Sequence, residues 1–125
     1  MTHSLLVAAG GMLGSLARYW LTLFVQRYDG SSFPSGTFAV NVLGSFIIGL
    51  VMVLSLEREV LSHEGRVFLT IGFCGGFTTM SAFSFETLAL LRAGELGVAA
   101  AYVGLSLVLC VGAASLGWVV GRTMA

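Results

Sequence analysis

The sequence predicts an all-α membrane protein with four transmembrane helices per subunit. Three observations carry that expectation. Of 125 residues, 57% are hydrophobic and 10% are charged, where an ordinary soluble domain carries about a quarter charged. The few charges divide the chain into four apolar segments, each meeting the ~20-residue need of a spanning helix. Seventeen glycines lie in this apolar chain, a composition that suits closely packed membrane helices.

The first segment covers residues 4–25 and is interrupted by Arg18. It lacks the basic leading region of a cleavable signal peptide, so it is expected to remain as a span. Gly10 and Gly14 are four apart, the spacing that lets helix backbones approach closely. The second segment covers 37–56, ends before Glu57, and carries Ser45 and Gly49 at the same spacing. The third covers 67–91, between Arg66 and Arg92, with Glu86 inside. The fourth covers 96–121, between Glu95 and Arg122, with Gly117 and Gly121 four apart. The connections, 26–36, 57–65 and 93–95, are short, and the single proline, Pro34, lies in the first. The expectation is one four-helix domain over 1–125 and no soluble domain.

The third segment holds the strongest local signal. Gly75-Gly76 and Thr78-Thr79 are poor helix material and lie near the segment's centre, at the bilayer midplane. In hydrocarbon a broken helix survives only where it is buried in protein or lines a polar cavity. The third helix is therefore expected to break between Gly75 and Thr79. Carbonyls freed by such a break can coordinate Na⁺, and Thr78, Thr79, Ser81 and Ser84 add hydroxyls nearby. Two glycines alone would read as a close helix crossing, with hydroxyls bonded back to their own helix. The threonines and serine that follow favour an ion site. Phe77, Phe83 and Phe85 surround the break. Their ring edges can face an anion, although lipid or core contact is the default for a phenylalanine.

Other polar residues lie within the spans. Asn41 is the only asparagine in the chain. Its amide can glue helices together or offer its N–H donors to a dehydrated anion. Arg18 is expected to face a vestibule or to snorkel to the interface. Glu86 is expected to reach a vestibule or to pair with an arginine. Tyr102, Ser106 and Cys110 recur every four residues and so share one helix face, either a polar track or an interhelical seam.

All six basic residues are arginines, balanced by six acids. A net charge of zero argues against nucleic acid, which needs a basic footprint. With alternating helices, Arg58, Arg66 and Arg122 fall on one side of the membrane and Arg27 and Arg92 on the other. So small a bias leaves both insertions open under the positive-inside rule, and with them an antiparallel dimer. Four helices enclose little volume, so a polar pathway is expected at or near an interface between subunits. Cys74 and Cys110 read as small core residues, without the spacing of a disulfide or metal site. His3 and His63 read as solvated. No carboxylate pair, His/Cys cluster or nucleophile with a base is visible, so an enzyme is not expected.

Three stretches together resemble the Fluc/CrcB fluoride channels of bacteria. They are Gly10-Gly11-Met12-Leu13-Gly14-Ser15-Leu16-Ala17-Arg18-Tyr19, Gly36-Thr37-Phe38-Ala39-Val40-Asn41-Val42-Leu43-Gly44-Ser45, and Gly72-Phe73-Cys74-Gly75-Gly76-Phe77-Thr78-Thr79-Met80-Ser81-Ala82-Phe83 running on to Phe85-Glu86. The resemblance covers the whole chain. It implies an antiparallel, dual-topology homodimer in the bacterial inner membrane, with two fluoride pores that protect the cell by passive efflux. It implies a structural Na⁺ at the dimer centre, held by the backbone carbonyls of Gly75 and Thr78. Asn41, Phe83, Ser81, Thr37, Tyr102 and Ser106 match pore-side positions, and Arg18 matches a vestibule position. Met80 stands where the family has a second phenylalanine, and its thioether lacks an electropositive ring edge. Cys110 stands where a serine is often found. Two other readings remain: a small multidrug exporter, whose family uses an acidic residue in the first helix where this chain has none, and a structural subunit without transport.

Overall fold

A computed structural model, describing residues 1–124, is helical and has no strand among those residues. Its elements form four long rods. α1 (Thr2–Tyr28) and α2 (Ser35–Leu56) are single helices. The third rod, His63–Arg92, is composite. It begins with α3 (His63–Arg66), continues through a π-helical segment (Val67–Cys74) and α4 (Gly75–Phe77), and resumes as α5 (Met80–Arg92). α6 (Leu96–Thr123) is the fourth rod.

Length and apolarity qualify three of these rods for crossing a membrane: Ser35–Leu56, His63–Arg92 and Leu96–Thr123. α1 is 27 residues long, but Ser15, Arg18, Thr22 and Gln26 dilute its apolar character. Many large apolar side chains face outward, among them Leu16, Trp20, Phe24, Leu107 and Val119. Such a surface suits lipid rather than water, where a contiguous apolar patch would be a liability.

Small residues set the packing. α2 runs along α6, with the Gly49 backbone against Ala114 and that of Gly117 against Phe46. α1 lies on the π-helical segment and α4. There Gly10 meets the backbone of Phe68 and Gly72, and Gly76 meets Gly11: a Cβ on Gly76 would stand 2.5 Å from the Gly11 carbonyl oxygen. Backbone contact this close needs glycine on at least one side.

The interruption of the third rod is narrower than the motif that announced it. Gly75 is helical, with φ −61° and ψ −39°. The chain leaves the helix only at Thr78 (φ −84°, ψ 158°) and Thr79 (φ −152°, ψ 111°), both extended. The two glycines are therefore not the hinge. Gly76 serves the crossing with α1, and the threonines make the break. Thr78 ends the helix by donating both its N–H (2.9 Å) and its hydroxyl (2.8 Å) to the Cys74 carbonyl. Thr79 starts the next one: its hydroxyl accepts the Ala82 N–H at 3.1 Å, an N-cap that stabilises a helix start by about 1 kcal/mol.

Candidate functional site

A groove of about 430 Å³ opens beside the break. α2 contributes Asn41 and Ser45, the third rod contributes Gly75, Thr78, Met80 and Phe83, and α6 contributes Ser106 and Cys110. Met80 at its edge is 70% exposed, so one flank of the groove is uncovered in the single chain.

Asn41 is tied to the break by both ends of its amide. Its Oδ1 accepts the Thr79 N–H at 2.8 Å, and its Nδ2 donates to the Thr79 carbonyl at 3.2 Å. In an uninterrupted helix Thr79 N–H would bond the Gly75 carbonyl and Ala82 N–H the Thr78 carbonyl. Asn41 takes the first donor and the Thr79 hydroxyl the second. The carbonyls of Gly75 and Thr78 are thereby released from the helical ladder. The Asn41 amide carries two N–H donors, and one of them is left for another partner.

Glu86 does not take the arginine alternative: the one ion pair among the described residues joins Arg122 and Glu57 at 3.0 Å. Instead the Thr37 hydroxyl donates to one carboxylate oxygen at 2.7 Å and the Tyr102 hydroxyl to the other at 2.7 Å. The cause is proximity: α2, α5 and α6 converge there, and two hydroxyls satisfy a carboxylate in the span without a counter-charge. Glu86 also borders a second cavity under the first connection, with Asp29 and Glu95. There, hydrogen bonds from Ser35 and Ser31 hold the Asp29 carboxyl below its ordinary value.

That pairing commits Thr37 and Tyr102 to Glu86 rather than leaving them open to a ligand. Tyr102 is fully buried and packs its ring against Phe83 (centroids 5.1 Å) and Phe33 (5.4 Å). Ser106, one turn along α6, is different. It is 6% exposed, and its hydroxyl is buried with no hydrogen-bond partner. Tyr102 and Ser106 thus share a helix face but do different things. Ser81 is exposed and reaches the Thr79 hydroxyl at 3.2 Å. Arg18 is half-buried on α1 and lies outside the groove. Phe77 is buried and stacks on Phe73 (5.5 Å), while Phe85 is 71% exposed; neither lines the groove. Cys74 and Cys110 are both free thiols. His3 and His63, read as separate solvated residues, meet edge to face with centroids 5.2 Å apart.

Asn41 was among the residues that the sequence left with two readings, and the coupling it missed was Thr37–Glu86–Tyr102. Residues 49 and 16 positions apart in sequence carry no spacing signal of their meeting.

Comparison with known proteins decides the family. Residues 5–118 match the family model for CrcB-like protein, Camphor Resistance (CrcB). The chain belongs to the CrcB-like family. Among its CrcB-like relatives, a protein of Thermus thermophilus is 54% identical over 124 residues, covering 99% of this chain and 98% of the relative. One of Geotalea uraniireducens is 47% identical over 124 residues, covering 99% and 100%. One of Chlorobaculum tepidum is 52% identical over 107 residues, covering 86% and 84%. Each is named fluoride-specific ion channel FluC. The relatives are thus named as channels, and the expectation of a non-enzymatic protein agrees with them.

Proposed function

We propose that this chain forms a fluoride-selective channel for passive efflux across the bacterial inner membrane. Near-full-length identity to relatives named as fluoride-specific channels carries the reading. The groove supports it. Fluoride is small and strongly hydrated, so a path must replace its water with fixed donors. The buried, unpartnered Ser106 hydroxyl and the remaining N–H of Asn41 are such donors. Phe83 offers a ring edge, Ser81 a hydroxyl near the mouth, and Met80 and Cys110 form wall. Thr37 and Tyr102 fix the Glu86 carboxylate, so that its charge faces two donors rather than the path. Arg18, off the groove, serves the vestibule.

In this reading α1 is the fourth span, and two chains pair antiparallel, each covering the other's open groove flank at Met80. Two grooves then make two pores. The released Gly75 and Thr78 carbonyls fit a Na⁺ site: they are hard, neutral oxygen donors freed from the helical ladder, of the kind that binds Na⁺ in discontinuous helices. A Na⁺ held there supplies a fixed positive charge that does not titrate and attracts an anion.

The test is ion efflux from liposomes holding purified protein. Fluoride is expected to leave while chloride stays. Equal leak of both ions, or no leak of either, would sink the proposal.

A further inference from the structure

We infer that Asn41 is a positioning residue that holds the helix break open and thereby sets the affinity of the Gly75/Thr78 carbonyls for Na⁺. The inference rests on the cation reading just given and deepens it. Its ground is what happens to the Thr79 peptide. An extended residue inside a bundle leaves an N–H and a carbonyl to satisfy, and each costs free energy if buried alone. Asn41 satisfies both, at 2.8 and 3.2 Å, as a neighbouring strand would. Without that amide, the acceptor nearest along the chain for Thr79 N–H is the Gly75 carbonyl, through an ordinary helical bond. Closing it would withdraw that carbonyl from a cation. Asn41 therefore competes for the donor that would otherwise occupy a Na⁺ ligand.

The surroundings hold Asn41 in place. Its neighbour Val40 is fully buried. Its own carbonyl accepts the Ser45 hydroxyl at 2.7 Å. Three residues on, Gly44 lies directly under Thr78 and Phe77, with no room for a Cβ against the Thr78 methyl. α2 is thus seated on the break. The amide's role in orienting backbone is separable from the donor it keeps for an anion, because different N–H groups are involved.

Two measurements on the purified full chain in detergent test this. The first is the melting temperature against Na⁺ concentration, with N-methylglucamine replacing Na⁺ at constant ionic strength. The second is hydrogen exchange of the peptide containing Thr79. Asn41→Leu removes both bonds; Asn41→Asp keeps the acceptor and loses the donor, and serves if Asn41→Leu does not fold. We expect the half-stabilising Na⁺ concentration to rise by about tenfold or more in these variants, the effect of losing one or two buried hydrogen bonds. Thr79 should exchange faster in both. Gly97→Ala, at the start of α6 with nothing within 4 Å of the added Cβ and outside the groove lining, should keep the Na⁺ midpoint of the parent chain. With a Na⁺ effect present in the parent chain, an unchanged midpoint in both Asn41 variants would overturn the inference, whether or not Thr79 exchanges faster. Absence of any Na⁺ effect in the parent chain would instead overturn the cation reading, and the exchange of Thr79 would then decide alone whether Asn41 holds the break.

Discussion

Ser106 and Tyr102 sit one turn apart on the same helix, and their hydroxyls have opposite fates. Tyr102 donates its hydroxyl hydrogen bond to Glu86, while Ser106 is buried without a partner. Substitutions should separate them. Tyr102→Phe leaves the half-buried Glu86 carboxylate one donor short, a loss of about 1–3 kcal/mol that thermal unfolding should register. Ser106→Ala removes a hydroxyl that bonds nothing in the protein, so the fold should be unharmed. Fluoride efflux from liposomes should nonetheless fall. Full efflux with Ser106→Ala would show that this hydroxyl is not on the path. No sequence pattern distinguishes these two side chains, because spacing fixes the helix face and only the neighbouring helix fixes the partner.

At the level of the element, the third rod shows which parts of a motif act where. Gly75-Gly76 and Thr78-Thr79 together announced an interruption, but only the threonines leave the helix. Gly76 faces Gly11 of α1. Gly76→Ala should therefore push α1 away, costing about 1–3 kcal/mol as overpacking does, read as a lower melting temperature. Gly97→Ala in α6 is the contrast. Nothing stands within 4 Å of a Cβ at Gly97, and its stability should stay within about 0.5 kcal/mol. The helix start at Thr79 was legible in principle, since a threonine before an apolar run is a capping signal. The π-helical stretch Val67–Cys74 was not, because nothing in its run of Val, Phe, Leu, Thr, Ile, Gly, Phe and Cys specifies a wider turn over an α-helical one.

For the whole molecule, the arginine balance makes a prediction of its own. Arg58, Arg66 and Arg122 against Arg27 and Arg92 give the insertion machinery little to choose between. A compartment-sensitive reporter on the C-terminus should therefore give signal from both sides of the membrane; signal from one side alone would defeat dual topology. In the proposed dimer a second chain covers the groove's open flank at Met80. Met80→Phe should preserve fluoride efflux if this position is only wall, and loss of flux would show that the thioether is matched to the path.

Sequence alone marked the apolar segments, the small-residue spacings and the neighbourhood of the break, because each is written in local composition and spacing. It also placed Asn41, Ser106 and Met80 as candidates. Only the tertiary structure decided what their polar atoms do. Asn41 grips Thr79 across 38 residues, Thr37 and Tyr102 hold Glu86, and Ser106 is left with a free hydroxyl. A hydrogen bond is a matter of ångströms between atoms on different helices, and distance along the chain carries no record of it.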